Sequence, residues 1–306
     1  RAGNWRAGSG GGRCGMSRQV MPVDFRRERA WWDAKAPAEE LDLLDEAVNR
    51  ALRWREIERR LRGVETILEI GGATGAFSIP LAQRGYAVTH VDFSSAMLDI
   101  AREKAGDADG LCLVQANAVA LPFPDRAFDL ALNMDGAVSF CGDLAEQAIR
   151  EACRVTGRVL ILSVSHRASL IAGWVEQSAK VCGRLTPAVY EMFDRGRWHQ
   201  DQFPDNARLT RGGTQDYLGV HKAFLPGELR AILESAGMRV LRCGGIGTLA
   251  NLCGMEAVEW LRADADAYAA FLDLCERYDL EILPDGPGTW RRAGLIAVAA
   301  PATEAI

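Results

Sequence analysis

Nowhere in the 306 residues does an apolar run reach the ~18 positions that a membrane-crossing helix needs, so no membrane span is expected. Positive charge is not in excess either. The 36 Lys and Arg stand against 41 Asp and Glu, for a net charge of −5, whereas affinity for nucleic acid rests on clustered cations that neutralise phosphates. Nucleic acid is therefore not an expected partner. The one arginine-dense stretch, Arg53, Arg55, Arg59, Arg60 and Arg62, is interleaved with Glu56 and Glu58 and reads as a solvated helix face. Eight cysteines are scattered with no Cys-x-x-Cys and no histidine at metal-ligand spacing, which argues against both a zinc site and a disulfide framework. They read as reduced thiols of a cytoplasmic protein, and no metal is expected. Histidine is scarce, with four in the chain, which shortens the search for a base. Repeats and low-complexity segments are absent after residue 20.

What is present suffices for a full core: 48% of residues are apolar, enough for one large α/β domain or two small ones. Residues 1–20 show no apolar periodicity and read as a disordered leader or an expression remnant, outside the fold. Residues 21–306 read as one domain. Trp31 and Trp32 precede Pro37, after which Leu41, Leu44, Val48 and Leu52 recur at three- and four-residue steps; a helical lid is expected over 30–62, with the paired tryptophans either packed on the core or laid over a ligand pocket.

The centre of the chain is Leu68-Glu69-Ile70-Gly71-Gly72-Ala73-Thr74-Gly75. A buried strand, 64–70, breaks into a glycine-dense turn and continues as a helix to about Arg84. Such a turn admits positive φ, removes the Cβ that would hold a ligand at a distance, and is followed by free helix N–H groups. Dinucleotides and S-adenosylmethionine both use it. Glu69 favours the second, because a carboxylate at the mouth of the turn repels a pyrophosphate and suits a sulfonium or ammonium group. A second strand, 86–92, ends on Asp92, twenty-one residues beyond Gly71, the separation at which a βαβ unit brings an acid beside an adenosine ribose. Ser94 and Ser95 can cap a helix 96–105 whose Met97 either faces the ligand or fills the core.

Strands follow at 111–115, 130–134 and 158–164, the last preceded by a helix that Asp143 can cap. Strand signals alternating with helices describe a doubly wound parallel sheet, in which ligands bind at the carboxyl ends of the strands. That rim collects Glu69, Asp92 with the adjoining Phe93, Asn117 and Met134. The cofactor-binding core is thus 63–165. Residues 166–224 lose periodicity and are expected to form a cap of short helices. Residues 225–306 return to the core through a helix from Pro226, a strand 238–243, two helices between Met255 and Leu283, and a strand 293–300.

Taken in order, Glu69-Ile70-Gly71-x-x-x-Gly75, Asp92, Asn117-Ala118, Leu121-Pro122-Phe123, Phe128-Asp129 and Gly157-Arg158 resemble the S-adenosylmethionine-dependent methyltransferases of the Rossmann-like, class I superfamily, in its small-molecule type. The resemblance covers residues 30–165. It implies a seven-stranded sheet, mostly parallel with the last strand antiparallel, with helical cap insertions. It implies further that Glu69 and Gly71 lie near the methionine moiety, Gly72 and Gly75 against the cofactor backbone, Asp92 on the ribose, Asn117 and Ala118 beside the adenine, and Met134 with Asp135 toward the methyl donor and substrate. Two positions depart from the family pattern: Ala73 replaces its middle glycine, and Asn117 the acid of the adenine motif. The implied activity is methyl transfer to a small-molecule O-, N- or C-nucleophile in bacterial small-molecule metabolism; apart from the resemblance, the position of Trp32 makes it a candidate to close over the cofactor. A nicotinamide-dependent oxidoreductase and a non-catalytic binder of adenosine ligands remain the alternatives.

A base is sought in the cap. His90 lies within a strand and reads as structural. His166 directly follows the strand 158–164, His199 lies beside Asp201, which could fix its tautomer, and His221 would share a helical face with Tyr217.

Overall fold

The computed structural model describes residues 22–40, 44–134, 136–199, 201, 219–288 and 294–302. At the N-terminus stand two helices where one long lid helix was expected. Helix α1 (Phe25–Lys35) is capped by Asp24, whose carboxylate accepts the N–H groups of Arg26 and Arg27; a 3-10 turn, Ala36–Glu40, follows, then α2 (Leu44–Glu58). Pro37, which has no N–H to donate, lies in the break. Val48 and Leu52, four residues apart on α2, are buried on one face.

Strands and helices then alternate: β1 (Thr66–Ile70), α3 (Ser78–Gln83), β2 (Ala87–Asp92), α4 (Ser95–Ala105), β3 (Leu111–Gln115), β4 (Phe128–Asn133), α5 (Ala145–Val155) and β5 (Thr156–Val164). A 3-10 segment, Ala137–Leu144, stands between β4 and α5, so Asp143 does not cap α5; its carboxylate lies 3.5 Å from Arg197. Among the described residues the cap comprises α6 (Arg167–Cys182), α7 (Pro187–Arg195) and an antiparallel pair of β6 (Arg197–His199) with β7 (Val220–Lys222). Its small core is built on Trp198, against which Trp174 stacks at 4.2 Å. The chain returns through α8 (Pro226–Ser235) and β8 (Met238–Gly245), adds α9 (Thr248–Cys253), α10 (Met255–Arg262) and α11 (Ala265–Arg277), and ends in β9 (Leu295–Pro301).

Seven strands form one sheet in the order β3-β2-β1-β4-β5-β9-β8, with β9 antiparallel to both neighbours. The fold is the Rossmann-like one that the motifs imply. Strand alternation sends one set of side chains to each face. Leu68, Leu160, Leu162 and Ala297 meet α5 and α8 through Ile149 and Leu229, while Ile67, Ile161, Ile296 and Val298 meet α2, α3 and α11 through Leu52, Leu81 and Phe271. Both faces are covered, as a mostly parallel sheet requires.

The arginine stretch is not the solvated face that its interleaved glutamates suggest. Arg53 is 1% exposed, Arg55 reaches Asp273 at 2.6 Å and Arg59 reaches Glu276 at 2.8 Å, both on α11. These ions clamp α2 to the C-terminal helices. Among the described residues no helix is long and apolar enough to cross a membrane, and no group of three His, Cys, Asp or Glu side chains is placed to hold a metal.

Candidate active site

Strand β1 runs out at Ile70, and the backbone turns so that Gly71 and Gly72 both donate to the carbonyl of Val91, at 2.7 and 3.1 Å. Gly71 has φ +67°, and a Cβ there would lie 2.2 Å from the Cβ of Ala137. The glycine is needed for backbone conformation and for close packing on the segment after β4. Ala73 stands at φ +48°, in the left-handed region that glycine favours, and its N–H donates to Asp92 at 3.0 Å. That bond accounts for how an alanine is held where the family pattern has glycine.

A cleft of about 740 Å³, open to solvent, lies over the strand ends. Of the residues singled out in the sequence it gathers Gly71, Asp92, Phe93, Met97, Asn117, Ala118, Met134 and Trp32. The side chain of Asp92 is 7% exposed; besides Ala73 it accepts the N–H of Ser94 at 2.8 Å, and burial pushes its carboxyl above the usual range against the pull of these bonds. Asn117 bends its own loop by accepting the N–H of Val119 at 3.1 Å, which leaves its amide nitrogen to a ligand. Met97 and Met134 are almost fully buried and form part of the cleft wall.

Three motif residues lie elsewhere. Glu69 does not line the cleft: it is 2% exposed and accepts the N–H of Ser78 at 2.8 Å, at the first turn of α3, with the His90 ring 3.8 Å away. Its partner in the sheet register is His90, whose Nδ1 meets the Ser78 hydroxyl at 2.7 Å, so one oxygen of this carboxylate serves the start of α3. Gly72 lies against the same group; a Cβ there would fall 2.5 Å from the His90 ring. Gly75 packs on Ile79 in the turn.

The histidines of the cap also lie outside the cleft lining. His166 caps α6, its Nδ1 accepting the N–H of Ala168 at 3.1 Å, and burial lowers its pKa. His199 accepts the N–H of Asp201 at 3.2 Å, whereas the Asp201 carboxylate pairs with Arg27 at 2.7 Å instead of fixing the imidazole. His221 is on β7, not on a helix, so the face shared with Tyr217 does not exist; Tyr217 itself, like Asp135, lies outside the described residues. The His221 Nε2 is 2.8 Å from the Ser165 hydroxyl, and burial lowers its pKa to about 4. Its ring stands edge-on to Phe140 at 4.7 Å, and Phe140 in turn meets Trp32 at 4.8 Å. At neutral pH this imidazole is uncharged and a weak base; it backs the cleft through Phe140.

Sequence reasoning missed Phe25, Glu39, Phe140 and Cys141, all of which line the cleft. Phe140 and Cys141 belong to the 3-10 segment after β4. An apolar run directly after a strand on the ligand-binding rim was the available signal.

A sheet of this order, a glycine turn after β1 and an acid ending β2 define an adenosine-ligand site of the methyltransferase kind. Residues 67–158 match the family described as "Methyltransferase domain". Among its relatives, the ubiquinone/menaquinone biosynthesis C-methyltransferase UbiE of Methylobacterium nodulans is 32% identical over 161 residues, which cover 48% of this chain and 63% of that protein. The demethylmenaquinone methyltransferase of Tropheryma whipplei (strain Twist) is 31% identical over 154 residues, covering 45% and 62%. The chain thus spans under two thirds of the length of these curated relatives. In fold it is similar to the CcbJ methyltransferase of Streptomyces caelestis, with a TM-score of 0.53 at 17% identity, over 90% of this chain and 99% of that one.

S-adenosylmethionine is the cofactor of this class, and the cleft fits it. Asp92 is a buried acceptor at the end of β2, Phe93, Met97 and Ala118 give the apolar walls a purine needs, and the Gly71 backbone has no side chain in the way.

Proposed function

We propose that the protein transfers the methyl group of S-adenosylmethionine to a small-molecule acceptor held between the cofactor slot and the cap. The observation that carries this reading is the cleft itself, which is lined by the Gly71 turn, by Asp92 and by the aromatic pair Trp32 and Phe140. When bound, the sulfonium supplies an electrophilic methyl carbon without help from the protein. The chain's own residues have the simpler tasks of binding, orienting and excluding water. Asp92 and Asn117 would hold the ribose and adenine edges. Met134 and the Ala137–Leu144 segment, following β4, would form the boundary between cofactor and acceptor. Trp32, carried by α1, covers the opening.

Small-molecule use is supported by the printed names of the relatives. The test is release of S-adenosylhomocysteine on incubation with S-adenosylmethionine and a panel of phenols, amines and quinols, with mass spectrometry for a gain of 14 Da. A product with that increment in one acceptor class supports the reading. Cofactor binding without turnover across all classes would favour a non-catalytic binder.

A further inference from the structure

The N-terminal helix contributes Phe25 and Trp32 to the cleft, and the 3-10 turn after it contributes Glu39, while a residue that does not line the cleft, Asp33, bonds the helix to the cofactor domain. Asp33 Oδ1 accepts the Ser94 hydroxyl at 2.6 Å and the N–H of Ala96 at 3.2 Å, at the amino end of α4. A carboxylate at that position is favoured both by charge-assisted bonding and by the helix dipole. Ser94 is fully buried and serves three partners: its hydroxyl donates to Asp33 and accepts the N–H of Met97 at 3.2 Å, and its own N–H donates to Asp92 at 2.8 Å. One serine therefore joins the acid of the ribose position, a wall of the adenosine slot and the covering helix.

The far end of α1 is tied to the cap rather than to the sheet. Arg27 pairs with Asp201, and Gly219, before β7, lies so close to the helix that a Cβ there would fall 2.6 Å from the Glu28 carboxylate. The helix, which lines the cleft through Phe25 and Trp32, thus bridges cap and cofactor domain, with Asp33 bonded on the cofactor side.

We propose that Asp33 is a positioning residue for the cofactor: it holds α1 closed by bonding Ser94, and in doing so couples occupancy of the Asp92 site to closure of Trp32 over the cleft. The proposal rests on the reading of the cleft as an S-adenosylmethionine site. Coupling of this kind is reciprocal, so a docked helix strengthens cofactor binding and a bound cofactor strengthens docking by the same factor. A bond to a charged acceptor is strong enough to give about a tenfold effect.

The experiment combines titration of S-adenosylhomocysteine with hydrogen exchange of the α1 amides, in the wild type, Asp33→Ala and Asp33→Asn. The expected results are an affinity about tenfold weaker in Asp33→Ala, an intermediate value in Asp33→Asn, which keeps an acceptor oxygen, faster α1 exchange in Asp33→Ala without ligand, and slower α1 exchange in the wild type when ligand is added. Equal exchange in wild type and Asp33→Ala would remove the latch. Faster exchange with unchanged affinity would remove the coupling. A wild type that binds no S-adenosylhomocysteine would overturn the reading of the cleft and the coupling with it, while the exchange comparison without ligand would still decide the latch. Ser94→Ala, which breaks the same bond from the other side, decides the matter if Asp33→Ala does not fold.

Discussion

Asp92 and His221 show how far a residue's chemistry depends on where the backbone ends. Asp92 lies at the carboxyl end of β2, where its oxygens serve the glycine loop and the ligand cleft together, and that position is legible from a strand pattern ending on an acid. His221 was harder to place, because a three-residue strand carries too little periodicity to separate it from a helix. Its burial has a measurable consequence. The folded pKa is about 4 against an unperturbed value near 6.5, so the unfolded chain binds this proton more tightly and protonation favours unfolding. The contribution is complete above pH ~6.5 and is lost as the pH falls from there toward about 4. In that window the melting temperature of the wild type should fall more steeply than that of His221→Gln, whose amide can still bond Ser165 but does not titrate. Parallel curves would show that the imidazole is not buried in neutral form.

Elements that follow from local pattern are legible in the sequence, and contacts between distant segments are not. The strand 111–115 is found where its apolar run places it, and the reversed final strand follows from the motif order. By contrast, Asp33 with Ser94, and Arg55 with Asp273, join segments whose proximity only the folded chain reveals. The bond from the Ser78 N–H to Glu69, nine residues apart, is likewise not legible in the strand pattern. The glycine turn offers a test at this scale. Gly71→Ala would set a Cβ against Ala137 at positive φ and should lower stability by about 1–3 kcal/mol. Ala73→Gly removes a side chain from φ +48° and should raise it by up to about 1 kcal/mol. Urea unfolding reads both, and a neutral Gly71→Ala would mean that the loop relaxes and the close approach is not required.

At the scale of the whole molecule, three parts meet at one rim: a seven-stranded sheet that ends in the glycine turn and Asp92, a cap that brings His221 behind Phe140, and an N-terminal helix that adds Trp32 to the cleft wall. The sheet is what the family shares. The cap builds a small core of its own on Trp198, from segments whose proximity only the folded chain reveals. Function at this rim is decided by which ligand it takes. Calorimetric titration with S-adenosylhomocysteine and with NAD, in the wild type and in Asp92→Ala, tests this most directly. The expected result is saturable binding of S-adenosylhomocysteine alone, weakened in Asp92→Ala by about 1.5–3 kcal/mol through loss of a charge-assisted acceptor. Binding of NAD, or an Asp92→Ala variant with undiminished affinity for S-adenosylhomocysteine, would contradict it.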